Sequence, residues 1–179
     1  NVYEKILEKR GDLPEVFFNY GNALRDKGCP KDAEIAYRNA LKSNPDYADA
    51  HNSLGSLLLS RGDLSSALKE FQSAIKVNSN FVDAFINLGN TYFELGRLND
   101  AEAAYRSAIE LKPRSSEAFN NLGNCLGAQG LKEAAITAFR KALEIKPDYS
   151  IAHRHLAHIK ICTTNDPQLK AVQSLLKDY

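Results

Sequence analysis

Apolar residues recur along the chain at the three- and four-residue spacings of amphipathic helices. Between residues 48 and 81, one such run ends at Gly62-Asp63 and a second begins directly after it. Glycine adopts turn conformations that strain other residues, so this dipeptide predicts a turn. The apolar positions on the two sides of the turn are Leu54, Leu57, Leu58, Leu64, Ala67, Leu68, Phe71, Ala74 and Ile75. The pattern predicts two helices joined by a short turn.

The same pattern returns every 34 residues. We number the places within four consecutive segments, residues 14–47, 48–81, 82–115 and 116–149. The eighth and fifteenth places are always glycine, the twentieth and twenty-seventh are always alanine, and the twenty-fourth is always aromatic. The thirty-second place is proline except for Ser79 in the second segment. Such self-similarity predicts an array of helical repeats, each of which buries its apolar surface against its neighbours.

Two of the recurring places indicate close packing between the paired helices. A helical glycine costs roughly 1 kcal/mol relative to alanine, so its return at the eighth place indicates a close approach there. We expect the small alanine of the twentieth place to face it. We expect the aromatic residue of the twenty-fourth place to fill the larger gap between a repeat and its neighbours.

The combination of Leu-Gly, Ala, aromatic, Ala and Pro resembles the tetratricopeptide repeat (TPR) family from Pro14 to Tyr149. The resemblance implies an all-α, right-handed superhelical solenoid of antiparallel helix pairs, with first helices lining a concave groove and second helices outside. Residues 1–13 are predicted to contain the last helix of a truncated preceding repeat. Residues 150–179 are predicted to form a divergent fifth unit with a capping helix that begins at Asp166-Pro167.

Short amide side chains recur at the places that line the groove in this family. A primary amide both donates and accepts hydrogen bonds, as a peptide main chain does. The array resembles the TPR region of O-linked N-acetylglucosamine transferase, in which groove asparagines hold peptides by their main chain. This second resemblance implies main-chain binding by Asn19, Asn87 and Asn121, whereas Ser53 and His155 interrupt the ladder. At the groove-lining places of the family we also predict peptide-binding roles for Asn22, Asn52, Asn90, Asn124, His155 and His158. Alternatively, these side chains are a solvated polar surface or bond to neighbouring repeats.

The second place is acidic in all four repeats. Carboxylates in the first turn of a helix complement its dipole, and they would also favour a basic ligand. The residues are Glu15, Asp49, Asp83 and Glu117, and we include the last three among the predicted peptide-binding residues. The Lys and Arg residues with which chaperone-binding TPR proteins clamp a terminal carboxylate are absent from the matching places. Four apolar residues either contact ligand or pack against adjacent helices: Phe18, Leu59, Ile86 and Phe93.

Composition argues against several classes of partner. With 23 Lys and Arg against 22 Asp and Glu, the net charge is +1, which gives no electrostatic basis for binding nucleic acid. No run approaches ~18 consecutive apolar residues, so membrane insertion is not expected. Three cysteines without metal or redox spacing favour an intracellular, cytoplasmic location. Because the chain begins at Asn1 and lacks methionine, we expect it to be part of a longer protein.

The sequence contains no catalytic motif, neither a serine nucleophile elbow nor a phosphate loop nor paired carboxylates. We therefore predict a protein–protein interaction scaffold without enzymatic activity or a cofactor, which binds an extended peptide or partner protein. His155, His158 and Cys162 share one helical face at metal-compatible spacing. Since no fourth ligand is evident nearby, we expect these histidines to face solvent or the ligand.

Two alternative functions stay open. Residues 153–176 resemble the segment that joins TPR arrays to a sulfotransferase domain in some bacterial proteins. Together with the likeness to the glycosyltransferase, this implies the substrate-targeting portion of a larger transferase. In the other alternative, apolar surface exposed on the terminal helices would let the chain form homo-oligomers.

Overall fold

The computed structural model of the protein describes residues 13–163 as an all-α helical repeat solenoid without strands, which confirms the predicted fold class. Four helix pairs are followed by one further helix. They are α1 (Pro14–Asp26) and α2 (Pro30–Ser43), α3 (Ala48–Ser60) and α4 (Leu64–Val77), α5 (Val82–Glu94) and α6 (Leu98–Leu111), α7 (Ser116–Ala128) and α8 (Lys132–Ile145), and α9 (Ser150–Thr163). The helices predicted before residue 13 and from Asp166 onward lie outside the described residues.

The chain divides between Pro113 and Arg114 into two compact units. In the first unit, the helices α1 to α6 pack in chain order, each against the next, and α3 also contacts α5. In the second unit, α7 packs against α8, and α9 packs against both of them. The first helices α3 and α7 therefore contact both the second helix of their own repeat and the first helix of the next repeat.

The turn inside each pair is made by the glycine at the fifteenth place. Gly62 has φ 78°, a left-handed conformation that side chains with a Cβ rarely adopt. Its N–H donates to the Leu59 carbonyl at 2.9 Å, and the Asp63 N–H donates to the Leu58 carbonyl at 3.0 Å, which closes α3. The Asp63 side chain then accepts from the Ser66 N–H at 3.1 Å and caps α4. The predicted turn at Gly62-Asp63 is confirmed.

Ser79 replaces the usual proline after α4 without moving the end of that helix. Helix α4 ends at Val77, the same place at which α2 ends at Ser43. In the first loop Asn44 Oδ1 accepts from the Asp46 N–H at 3.0 Å, and in the second Asn78 Oδ1 accepts from the Asn80 N–H at 3.1 Å. An asparagine that bonds the backbone two residues later favours a turn by itself, so proline is not needed there.

The eighth-place glycine faces the aromatic residue of its own repeat. A Cβ built on Gly21 would lie 2.7 Å from Tyr37 Cδ1, and one on Gly123 would lie 2.6 Å from Phe139 Cε1. The atoms that such a Cβ would meet first belong to the aromatic ring, not to the twentieth-place alanine that the sequence pattern predicted opposite the glycine. The ring needs the space that the missing Cβ leaves, and the twentieth-place alanines are also fully buried. Periodicity marks which places are tightly packed, but it does not show which two places face each other.

Candidate functional site

The predicted peptide-binding residues all lie on the first helices. In the first unit they occur on α1 (Asn19, Asn22), α3 (Asp49, Asn52) and α5 (Asp83, Asn87, Asn90). In the second unit they occur on α7 (Glu117, Asn121, Asn124) and α9 (His155, His158). Asn19, His158 and the three carboxylates are exposed, whereas the remaining amides and His155 are half-buried.

Asn52 and Asn87 form an amide pair between adjacent repeats. Asn87 Nδ2 donates to Asn52 Oδ1 at 3.0 Å and to Ser56 Oγ at 3.3 Å, so both of its N–H groups are used. Within the described part of the chain, Asn52 Nδ2 and Asn87 Oδ1 have no hydrogen-bond partner. The pair therefore presents one donor group and one acceptor on half-buried side chains whose orientation is fixed by their mutual bond.

A related arrangement occurs in the second unit. His155 Nδ1 lies 3.1 Å from Asn120 Oδ1, and Asn120 Nδ2 donates to Asn121 Oδ1 at 3.2 Å. Because an amide oxygen only accepts, His155 Nδ1 carries a proton and the neutral ring keeps Nε2 as an acceptor. Burial lowers the pKa of His155, and the charges of Arg154 and His158 lower it further, which favours that neutral ring.

Asn120 is a site residue that sequence reasoning missed. Its side chain is only 3% exposed, and it holds the two predicted residues His155 and Asn121 in place. The bonds from Asn87 to Asn52 and from His155 to Asn120 both span 35 residues. They join the fifth place of one repeat to the sixth place of the next. A search for polar residues at this spacing would have found Asn120.

Two ninth-place asparagines bind the phenol of their own repeat. Asn22 Oδ1 accepts from the Tyr37 hydroxyl at 2.8 Å, and Asn90 Oδ1 accepts from the Tyr105 hydroxyl at 2.8 Å. A buried tyrosine hydroxyl needs such a partner, so these two amides have a structural role in addition to any contact with ligand.

The fifth place alternates along the array. It is apolar in the first and third repeats, as Phe18 and Ile86, and an amide in the second and fourth, as Asn52 and Asn120. The twenty-fourth place alternates in step between tyrosine and phenylalanine. The described bonds from a fifth-place amide to the sixth place of the next repeat accordingly start at the second and fourth repeats.

The second-place carboxylates lie in the first turns of α1, α3, α5 and α7. Burial raises the pKa of the Tyr47 hydroxyl, and the negative charges of Asp49 and Glu15 raise it further. The pKa of Tyr149 is raised by burial and then by Glu117. The carboxylates thus create a negative potential at the ends of the first helices.

A cavity of about 270 Å³ lies in the second unit and brings three of the predicted residues together. Its lining residues are Asn124, Gly127, Lys132, Phe139, His155, His158 and Ile159. The Phe139 and His155 rings lie 5.5 Å apart between centroids and are tilted by 47°. Phe139 is fully buried, so the aromatic residue of the fourth repeat forms part of the cavity wall.

In the described part of the chain, no group of three His, Cys, Asp or Glu residues is arranged to hold a metal ion. The side chain of Cys162, which the sequence placed beside His155 and His158, lies outside that part. None of the helices described between residues 13 and 163 is long and apolar enough to cross a membrane.

Comparison with known proteins identifies the repeat. The sequence model described as tetratricopeptide repeat matches residues 18–81 and 86–150. A search of curated protein sequences returns no significant match. One crystal structure of MamA is 29% identical with a TM-score of 0.76, covering 81% of this chain and 85% of that chain. A second MamA crystal structure is 29% identical with a TM-score of 0.73, covering 83% and 82%.

A third structure, the MamA RS-1 ArsTM double mutant, is 18% identical with a TM-score of 0.77. It covers 92% of this chain and 93% of that chain, and at this identity it shows the fold alone. The family match spans both compact units and agrees with the helix pairs, the glycine turns and the glycine–aromatic contacts of every repeat. The chain therefore belongs to the tetratricopeptide repeat family of protein-interaction scaffolds.

Proposed function

We propose that the chain binds an extended segment of a partner protein along its first helices and recognises that segment partly by its main chain. The observation that carries this proposal is the amide pair of Asn52 and Asn87. One amide presents a donor group and the other an acceptor, and neither group has a partner in the described part of the chain. A peptide main chain supplies the complementary C=O and N–H groups whatever its side chains.

The pair is suited to binding because it is already ordered. The two bonds from Asn87 to Asn52 and Ser56 fix the amide planes before a ligand arrives. Binding then costs less side-chain entropy than it would with freely rotating amides. Both side chains are half-buried, so a bond to a ligand would be partly shielded from competing water.

The charge of the first unit favours basic residues in this ligand segment. Asp49 on α3 and Asp83 on α5 are exposed and lie at the same place of adjacent repeats. Rim charges of this kind act mainly on association rate and on the choice of partner. We expect binding to the first unit to weaken as salt is raised, since exposed charges are screened.

A peptide-array screen followed by titration of the hits tests the proposal. The parent chain is compared with the double variant Asn52→Ala/Asn87→Ala and with Gln72→Ala, which removes an exposed amide on the second helix α4. The double variant is expected to lose about 1–3 kcal/mol of binding free energy, and the Gln72 variant none. N-methylation of a single peptide bond removes one main-chain N–H donor from the ligand. At one or two positions of a hit it should cause a similar loss of binding free energy.

Either of two results would contradict the proposal. One is a double variant that binds every hit as well as the parent chain with an unchanged helical melt. The other is a set of hits whose binding is insensitive to N-methylation but depends on particular side chains. The transferase-targeting and homo-oligomer functions stay predictions, and measuring mass against chain concentration would test the second of them.

A further inference from the structure

The cavity in the second unit exists because the fourth repeat departs from the others at two places. The twelfth place is Gly127, where the earlier repeats have Arg25, Leu59 and Phe93. The seventeenth place is Lys132, where they have Pro30, Leu64 and Leu98. In the second repeat, Leu59 packs against the core cluster that contains Phe71. Gly127 contributes no side chain to the corresponding space in the fourth repeat, and the end of the Ile159 side chain lies next to it.

The walls of the cavity combine an aromatic interior with one lysine at the rim. Phe139 is fully buried, and the half-buried His155 ring lies at a tilted angle to it. Ile159 contributes a further apolar wall. Lys132 and His158 are exposed at the rim. None of the lining residues described for this cavity is a carboxylate.

The volume limits what the cavity can accept. At about 270 Å³, it is larger than the roughly 150 Å³ apolar cavity that takes up benzene. It is slightly smaller than the roughly 300–1,000 Å³ typical of sites for drug-sized ligands. The size therefore suits one large side chain of a partner protein better than a whole metabolite.

We propose that this cavity accepts one aromatic side chain from an acidic segment of the partner protein, an inference that rests on the proposed peptide-binding function. A ring in the cavity would meet Phe139 and His155 in the tilted geometries that aromatic pairs favour. Lys132 at the rim supplies the complementary charge for acidic residues next to the anchor. An aromatic anchor in a mostly apolar pocket is also the arrangement that concentrates binding energy in few residues.

The test uses the full chain labelled with ¹⁵N and three short peptides. The probe is acetyl-Asp-Glu-Phe-Glu-Asp-amide, with one control in which alanine replaces phenylalanine and one in which lysine replaces every acidic residue. The probe is expected to shift the amide resonances of Gly127, Phe139 and His155. Both controls are expected to bind at least roughly tenfold more weakly than the probe. The alanine control lacks the aromatic anchor, and the lysine control lacks the acidic residues.

Gly127→Leu is the variant that decides whether the cavity is the site. It restores the side chain that Leu59 provides in the second repeat. A Cβ at Gly127 would come within 3.2 Å only of Ile159 Cδ1, the end of a flexible side chain. The variant is expected to keep or raise the melting temperature and to abolish the shifts at Phe139 and His155. Ala128→Leu adds the same side chain at the next, exposed position and is expected to bind like the parent.

Lys132→Gln gives an independent variant should Gly127→Leu fold poorly. It is expected to weaken binding of the acidic probe at least roughly fivefold and not to weaken binding of the lysine control peptide, which has no acidic residue to pair with Lys132. Unchanged binding of the phenylalanine probe to a folded Gly127→Leu chain, or to Lys132→Gln, would overturn the proposal. So would contacts in the free chain between Phe139 and residues 164–179, which would show that the chain fills its own cavity.

The same spectra separate this proposal from the proposed main-chain binding. Shifts confined to Asn52, Asn87 and their neighbours would overturn the cavity proposal while the main-chain proposal stands. The double variant Asn52→Ala/Asn87→Ala gives the opposite outcome if its resonances around Gly127 still shift with the probe and its affinity for the array hits is unchanged. That result would contradict main-chain binding and leave the cavity as a binding site.

Discussion

His51 is held by two acceptors at once. Its Nδ1 lies 2.6 Å from Glu70 Oε2, and its Nε2 lies 2.9 Å from the Pro45 carbonyl oxygen. Neither an ionised carboxylate nor a carbonyl can donate, so both ring nitrogens must carry protons and the bound ring is the imidazolium. The hydrogen bond to Glu70 is the largest cause that raises the pKa of His51, and partial burial opposes it.

We predict that this histidine makes stability depend on pH. The pKa of His51 is higher in the folded chain than its ordinary value of about 6.5. Its contribution is therefore complete below that ordinary value and is lost as the pH rises through the folded pKa. Urea melts between pH 5.5 and 8.5 should show a loss on the order of 1 kcal/mol on the alkaline side.

The control for this prediction comes from the other repeats, which carry Phe17, Phe85 and Phe119 at the same place. His51→Phe is expected to remove the alkaline loss, and Glu70→Gln should remove most of it. Identical pH profiles of stability for the parent and His51→Phe would show that Glu70 and the Pro45 carbonyl do not stabilise the protonated ring. Comparing the two chains also removes the contribution of the other histidines to the pH profile. This matters because burial lowers the pKa of His155, whereas the pKa of His51 is raised.

A second single-residue prediction concerns the tyrosine of the first repeat. Tyr37→Phe removes the 2.8 Å bond to Asn22 Oδ1 but keeps a ring that fits, since Phe71 occupies the same place in the second repeat. We expect a loss of about 1 kcal/mol in the free energy of unfolding. The double variant Tyr37→Phe/Asn22→Ser reproduces the combination of Phe71 and Ser56 in the second repeat, and it should recover part of the lost stability. A double variant as destabilised as the sum of both single variants would contradict this pairing.

At the scale of the helix, α7 contains two glycines one turn apart that should respond oppositely to alanine. A Cβ at Gly123 would lie 2.6 Å from Phe139 Cε1, inside the fully buried contact between α7 and α8. At Gly127 the nearest atom would be Ile159 Cδ1 at 3.2 Å. Gly123→Ala is expected to lose about 1–3 kcal/mol through overpacking, whereas Gly127→Ala should gain up to about 1 kcal/mol from helix propensity.

Thermal melts of the two variants measure this difference directly. The melting temperature should fall for Gly123→Ala and stay level or rise for Gly127→Ala, at about 2–4 °C per kcal/mol. Replacing Phe139 by leucine should relieve part of the Gly123→Ala loss, because the smaller side chain leaves room for the added methyl group. Two variants with equal melting temperatures would show that the glycine–aromatic contact tolerates a Cβ.

The helices follow from local sequence, and the contacts between them follow only in part. The turn at Gly62 and the cap at Asp63 involve neighbours in the chain, so the sequence predicts them well. The atoms nearest to a Cβ at Gly123 belong to a ring sixteen places away on another helix. The sequence pattern predicted an alanine there, because periodicity does not show which places of two helices face each other. The pairing of Asn120 with His155 depends on how two repeats stack, and the cavity depends on a side chain that Gly127 lacks.

At the scale of the whole chain, the boundary between Pro113 and Arg114 predicts that a destabilising substitution in one compact unit does not destabilise the other unit. Helix α7 packs against α8 and α9, whereas α1 to α4 belong to the other compact unit. In a repeat protein whose stability is a sum of units and adjacent interfaces, a destabilised repeat opens before distant ones do. Gly123→Ala should therefore speed amide hydrogen exchange in residues 116–159 and leave residues 14–77 unchanged. Gly127→Ala serves as the control, and equal acceleration along the entire chain would mean that both units unfold together.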